Sequence, residues 1–166
     1  MAYVTHQQLL ERPGARELAQ VASDEHQPLV PYELMELTLL GEPRNSCPPE
    51  QLAQADSALQ RIDDAVADAD GLIDGFLRQR GYALPMQPVP RLVVAWSRAI
   101  SRYYLHRNRQ SLESNDPIVR DYRDALKLLQ QVADGKLSLG VDDSMALGTA
   151  QAGRPCRLIR DALEDF

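Results

Sequence analysis

The longest regular pattern in the sequence is an apolar stripe that begins at Leu52 and ends at Phe76. Its members recur at alternating steps of three and four residues: Leu52, Ala55, Leu59, Ile62, Val66, Ala69, Ile73 and Phe76. This spacing places all of them on one face of an α-helix of about eight turns. Pro49 suits the first turn of that helix, and Gly81 suits the position after its last turn. We therefore predict one long helix that packs along one side against other helices.

Two more amphipathic helices are predicted after residues 82–90, which hold three prolines and are expected to be extended. The first begins behind Pro90, and the second is capped by Asp116 and closed by Gly135. The apolar face of the first is wide and consists of Leu92, Trp96, Ala99 and Tyr103, with Val93, Ile100 and Tyr104 beside them. That of the second consists of Val119, Tyr122, Leu126, Leu129 and Val132. The core that the three stripes predict contains Leu59, Ile62, Val66, Ile73, Phe76, Leu92, Trp96, Tyr103, Tyr122, Leu126 and Leu129.

The first fifty residues predict shorter elements. Thr5 and Gln8 have the spacing of a capping box, which indicates a helix from Thr5 to Arg12. A second short helix is expected at 15–22. Residues 32–41 fit either a third helix that ends at Gly41 or an apolar flap. Residues 136–141 alternate in polarity, so they fit a short strand or a hook. The expected fold is all-α, a small helical bundle built on one long helix, with extended loops and a protruding C-terminal tail.

The chain divides by composition into residues 1–141, a helical domain, and residues 142–166. Residues 142–153 are small and polar, as in a flexible linker. Apolar residues return after them, and this pattern favours a segment that docks on another surface. The candidate partner-binding residues of this tail are Arg157, Leu158, Ile159, Leu163 and Phe166.

Composition and charge limit the function classes. The formal net charge is −6 and the isoelectric point is near 5.0, which disfavours broad binding to nucleic acid. Cys47 and Cys156 are isolated and lack the paired spacing of a zinc site, so we expect free thiols in a reducing compartment. The sequence has no signal peptide pattern, and no stretch has the length of apolar residues that a membrane span needs.

Catalytic motifs are not recognisable in the sequence. The three histidines stand in no nucleophile elbow, and there is no phosphate-binding loop and no HExxH. We therefore expect no enzymatic activity and no cofactor. Asp63, Asp70 and Asp74 on the long helix would share a cation only if a facing element supplied more oxygen atoms. We favour the simpler interpretation that these carboxylates belong to a solvated helix face.

Residues 102–108, RYYLHRN, concentrate aromatic and cationic groups at the end of the second predicted helix. Tyr103 shares a face with Trp96, so its ring is expected in the core, with Tyr104 and His106 at the edge. Arginines near a helix C-terminus complement the helix dipole. We favour this structural interpretation over a subunit contact, and both over a site of chemistry.

The segments from Asp68 to Asn108 and from Val119 to Gly140 resemble Mu-like phage and prophage head–tail adaptor proteins. The likeness rests on motifs in a fixed order: DADGLIDGFL, RGYALP, VP, ISRYYL and YRDALKLLQQVADGKLSLG. The N-terminal YVTHQQLLERPGARELAQV and the C-terminal GRPCRLIRDALEDF are similar to the opening helix pair and the closing residues of that family.

The resemblance implies a structural virion protein without enzymatic activity. It would be made in the host cytoplasm and located in the neck of the virion, as a dodecameric ring beneath the portal protein. The ring would extend the DNA channel, let double-stranded DNA pass without sequence-specific binding, and dock the stopper or tail-completion protein, with no membrane partner. Asp63, Asp70 and Asp74 are then candidates for lumen or subunit contacts.

A small helical DNA-binding regulator remains the alternative. Its recognition face would have to come from Arg98, Arg102, Arg107 and Arg109, which gather at one helix end. The acidity of the chain as a whole argues against it.

Overall fold

The computed structural model describes residues 2–24, 26–107 and 115–141. That part of the chain forms six helices and no strand: α1 (His6–Glu11), α2 (Ala15–Ala22), α3 (Tyr32–Leu40), α4 (Pro49–Arg80), α5 (Arg91–Arg107) and α6 (Pro117–Ala133). The all-helical prediction is confirmed. Residues 32–40 form a helix rather than a flap, and residues 136–141 form no strand. The predicted tail, 142–166, lies outside the described residues.

The helix ends follow the signals read from the sequence. Thr5 and Gln8 form the reciprocal hydrogen bonds of a capping box before α1. Pro49 occupies the first turn of α4, and Gly81 ends this helix in the left-handed conformation, at φ +90°. The Asp116 carboxylate accepts a 2.7 Å hydrogen bond from the backbone N–H of Ile118 and so caps α6.

Two apolar clusters lie along α4 and divide the core. The first joins α1, α2 and α3 to the N-terminal half of α4; its buried members include Leu18, Met35, Ala58 and Ile62. The second joins α5 and α6 to the C-terminal half of α4; its buried members include Ile73, Leu77, Trp96, Ile100 and Leu129. Tyr104 packs against both clusters. The long helix is therefore the element that joins the two halves.

The predicted core residues fall into three groups. Buried residues are Ile62, Val66, Ile73, Trp96 and Leu129. Half-buried residues are Leu59, Phe76, Tyr103, Tyr122 and Leu126. The prediction is wrong for Leu92, whose exposed fraction is 46 %.

The error at Leu92 comes from the face that α5 buries. Val93, Ser97 and Ile100 point into the bundle, so Leu92 lies on the outer side of the first helical turn. A comparable displacement occurs on α4, where Ala58 and Leu77 are buried beside the predicted Leu59 and Phe76. Both helices pack against partners on two sides, and such packing buries a wider arc than a stripe of one residue per turn.

Candidate functional site

Asp70 is the acidic residue whose position differs most from the prediction. Its exposed fraction is 7 %, and its carboxylate accepts hydrogen bonds from the backbone N–H of Tyr3, at 2.8 Å, and from Oγ of Ser97, at 2.6 Å. Burial raises the pKa of Asp70, although the hydrogen bonds from Ser97 and Tyr3 act in the opposite direction. The prediction of a solvated residue that contacts a lumen or a subunit is therefore wrong for Asp70.

Asp74 and Asp63 also bind the N-terminal segment. The Tyr3 hydroxyl donates to Asp74, and Nη2 of Arg78, one helical turn further on, lies 3.7 Å from the same carboxylate. Burial, and then the bond to Asp74, raise the pKa of the Tyr3 phenol. Nε2 of His6 lies 2.7 Å from Oδ1 of Asp63. The three predicted acids thus hold the start of the chain against α4.

The exposed acids of α4 are a different set, Glu50, Asp56, Asp64 and Asp68. Arg44 donates to Asp56 at 2.6 Å, and the side-chain amide of Gln60 donates to Asp64 at 2.9 Å. These four residues, rather than Asp70, give α4 its outward negative charge.

The RYYLHRN segment forms an aromatic contact between α5 and α6. The rings of Tyr103 and Tyr122 stack with centroids 4.0 Å apart and planes 11° from parallel. Tyr104 lies tilted against both, with each centroid distance 6.2 Å, and the Arg107 guanidinium lies 4.7 Å from the centre of the Tyr104 ring. The geometry agrees with the structural interpretation of this segment.

Glu17 of α2 gathers the remaining polar groups of that segment. Arg102 donates to its two carboxylate oxygens, at 2.5 Å from Nε and 2.8 Å from Nη2, and Nε2 of His106 lies 2.9 Å from Oε1. Burial acts to raise the pKa of Glu17, but the hydrogen bonds from His106 and Arg102 outweigh it and lower the pKa to about 2. His106 is buried, not at an exposed edge as predicted, because this pairing draws it inward.

An open groove of about 400 Å³ lies where α2, α4 and the end of α5 meet. We call it the Arg107 groove; the lining residues that matter here are Arg61, Asp64, Asp68, Tyr104 and Arg107. Arg61 donates to the Ala22 carbonyl at 2.9 Å and to Asp24 at 3.0 Å, which fixes one wall. Mixed charges around an aromatic ring suit a contact with another protein surface.

The described ranges offer little for metal or thiol chemistry. Within them, no group of three or more His, Cys, Asp and Glu side chains is placed to hold a metal ion. Cys47 is a half-buried free thiol, whereas Cys156 lies outside these ranges. In the same part of the chain, none of the helices has the length and apolar character that crossing a membrane requires.

Residues 3–155 match the family described as Bacteriophage Mu, Gp36. The chain belongs to this family. It is 36 % identical over 83 residues to the Mu-like prophage FluMu protein gp36 of Haemophilus influenzae. The aligned region covers 50 % of this chain and 55 % of that protein. It is 34 % identical over 93 residues to gene product J of Escherichia phage Mu. This second aligned region covers 56 % of this chain and 61 % of that protein. The chain thus aligns with little more than half the length of these relatives.

The candidate partner-binding residues Arg157, Leu158, Ile159, Leu163 and Phe166 lie outside the described residues, and they also follow the matched segment. Sequence reasoning missed Glu17 and Ser97. Their partners are Arg102 and His106 for the first and Asp70 for the second, all distant along the chain. Two weak signals in the sequence pointed to these residues. Glu17 is the single acidic residue of the short helix α2, and Ser97 is a serine on an apolar face of α5.

Proposed function

We propose that the protein is a head–tail connector, which forms a ring beneath the portal and docks the stopper or tail-completion protein. Membership in the phage Mu Gp36 family over residues 3–155 is the observation that carries this proposal. The resemblance in the helical motifs points to the same role. A folded helical body that presents polar grooves and exposed acids supports a structural role.

The charge distribution supports passage of DNA without tight binding. Asp56, Asp64 and Asp68 are exposed on α4, and the net charge of the chain is −6. A channel wall with negative charge repels phosphate groups and lets the duplex slide. Asp64, Asp68 and Arg107 line the Arg107 groove, and we assign this groove to the contact between neighbouring copies. Glu50 and Asp56 then remain as the exposed acids of α4 for the channel wall.

Sedimentation with portal-bearing capsids tests the proposal. We expect the purified protein to co-sediment with capsids that carry a portal and to stay in solution with capsids that lack one. Arg107→Glu should weaken the association because it reverses a charge in the Arg107 groove. Arg120→Glu is the matched control, since Arg120 is an exposed arginine of α6 outside that groove. A wild-type protein that never co-sediments with portal-bearing capsids would overturn the proposal.

The DNA-binding regulator has less support from the geometry. Of its four arginines, Arg102 is bound by Glu17 and Arg107 lies over the Tyr104 ring, whereas Arg109 falls outside the described residues. A mobility-shift assay at physiological salt separates the two functions. Tight, sequence-selective binding would favour the regulator, whereas weak binding that salt abolishes agrees with the connector.

A further inference from the structure

A second groove lies between α5 and α6, on the side of the second apolar cluster. We call it the Arg98 groove; its volume is about 310 Å³. Apolar lining comes from Trp96, Ala99, Ala125 and Leu128. The charged lining comes from Arg98 and Arg102 of α5, Arg12 of the α1–α2 turn, and Asp121 and Asp124 of α6. The groove thus has an apolar floor, a cationic wall on α5 and an anionic wall on α6.

Arg98 carries a donor that the described residues leave without an acceptor. Its Nε is buried and has no hydrogen-bond partner there. A buried donor without an acceptor is unfavourable, so such groups in folded proteins are usually satisfied by another group. An acidic group that entered the groove beside Arg98 would pair with the charge of its guanidinium.

The end of this chain has the complementary pattern. At 100° per residue, Leu158, Ile159, Ala162, Leu163 and Phe166 share one face of a helix. Asp161 and Asp165 stand at one border of this apolar face, and Arg160 stands at the other. The sequence therefore predicts an apolar face with an acidic and a basic border, which matches a groove with one cationic and one anionic wall.

We propose that residues 157–166 bind in the Arg98 groove of the same chain. Asp161 and Asp165 face Arg98 of α5, Arg160 faces Asp121 and Asp124, and the apolar face covers the half-buried Ala99 and Leu128. Because the groove and the segment have complementary charges on both sides, the pairing also sets the direction of the bound helix. This contact belongs to the free chain and does not depend on the connector function.

The linker allows the contact within one molecule. Val141 packs against the second apolar cluster, which also holds Trp96, so the described chain ends in the same half as the groove. The fifteen residues from 142 to 156 span about 50 Å when extended. The 17-residue helix α5 is about 25 Å long, so the reach is ample. A tether of this length gives a local concentration on the order of millimolar, which favours the same chain over a second copy in dilute solution.

A disulfide equilibrium measures this contact in the full chain. In a background with Cys47→Ala and Cys156→Ser, we introduce Ala162→Cys together with Ala95→Cys, an exposed alanine that lines the groove. The matched control pairs Ala162→Cys with Ala53→Cys, an exposed alanine of α4 outside the groove. In a glutathione redox buffer, we expect an effective concentration at least about tenfold higher for the Ala95 pair than for the Ala53 pair. The product should run as a monomer on a non-reducing gel.

Equal effective concentrations for the two pairs would overturn the proposal, and so would disulfide-linked dimers as the main product. Exchanging the charges of one proposed ion pair, Asp124 with Arg160, tests the contact in a second way that does not depend on Arg98. Asp124→Arg and Arg160→Asp should each lower the effective concentration of the Ala95 pair, and the two together should restore it. Asp124 is exposed, so its reversal leaves the core intact. A double variant as weak as the single variants would contradict the assigned orientation.

Discussion

Glu17 connects parts of the chain that are far apart in sequence. Arg102 follows it by 85 residues and His106 by 89, yet both contact its carboxylate. Charge-assisted hydrogen bonds of this kind are stronger than neutral ones, particularly when arginine binds both oxygens. The contact fixes α2 against the end of α5, beside the stacked pair of Tyr103 and Tyr122.

Replacing Glu17 by glutamine should expose this contact as a pH-dependent part of the stability. The folded state lowers the pKa of Glu17 from its ordinary 4.5 to about 2, so the contribution is present above pH 4.5 and is lost as the pH falls towards 2. We expect Glu17→Gln to lower the melting temperature at pH 7 and the difference from wild type to shrink across that window. Circular dichroism melting from pH 7 to pH 2 measures it.

The matched control for that experiment is Glu36→Gln, since Glu36 is an exposed glutamate of α3. It should change the melting temperature little at any pH. A difference between wild type and Glu17→Gln that stays constant from pH 7 to pH 2 would contradict the assigned role of Glu17.

The N-terminal segment shows why the sequence predicted the acids of α4 only in part. Asp63, Asp70 and Asp74 were recognisable as acids on one helix, and the pairing of Asp74 with Arg78 follows from their spacing of four residues. The bonds from Tyr3 to Asp70 and Asp74 join residues about seventy positions apart. Helical periodicity contains no information about a partner so far along the chain. The sequence therefore predicts a solvated carboxylate at Asp70.

The helix α4 depends on the residues at its ends because it connects both apolar clusters. Gly81 ends it at φ +90°, a conformation that disfavours any residue with a Cβ atom. Its backbone N–H bonds to the carbonyls of Leu77 and Arg78 and closes the last turn. Gly71 and Gly75, by contrast, lie inside the helix, and a Cβ atom added at either would have open space around it.

Glycine substitutions just after α4 and inside it should therefore have opposite effects. Gly81→Ala should destabilise the protein by more than about 1 kcal/mol, because alanine is strained at that backbone conformation. Gly75→Ala should stabilise it by about 0.5–1 kcal/mol, because glycine is the poorer helix former. Urea unfolding monitored by circular dichroism measures both. Destabilisation of equal size in the two variants would contradict the description of Gly81 as the helix terminator.

The helices were largely predictable, and their exact buried faces were not. Capping signals at Thr5, Pro49, Gly81 and Asp116 act within a few residues, so the sequence alone located the corresponding ends. The buried face of α5 depends on which helices flank it. The apolar stripe predicts Leu92 in the core, whereas the first turn of α5 buries Val93 and exposes Leu92. Residues 32–40 are apolar nearly all round, so periodicity alone did not decide between helix and flap.

The two apolar clusters along α4 draw on both ends of the described chain. The first cluster begins at Val4, and the second includes Tyr3 at one end of the described chain and Val141 at the other. The composition of the sequence predicts a division into a helical domain, residues 1–141, and a tail, residues 142–166. The tail lies outside the described residues.

Deleting residues 142–166 should test this division. We expect the helical circular dichroism signal and the melting temperature of the remaining domain to be nearly unchanged, because both apolar clusters remain. Co-sedimentation with portal-bearing capsids should be lost, since the deletion removes the candidate partner-binding residues Arg157, Leu158, Ile159, Leu163 and Phe166. A fall in melting temperature of more than about 10 °C would show that the tail is an integral part of the core.

Electron microscopy of assembled phage particles whose genome encodes this protein decides whether the protein is a head–tail connector. The measurement is an averaged image of the particle neck. The account predicts a ring between the portal and the tail, into which the helical domain of residues 2–141 fits with α4 and its exposed acids facing the channel or a neighbouring copy. Tailed particles whose necks contain no density for this domain, or from which the protein is absent, would contradict it.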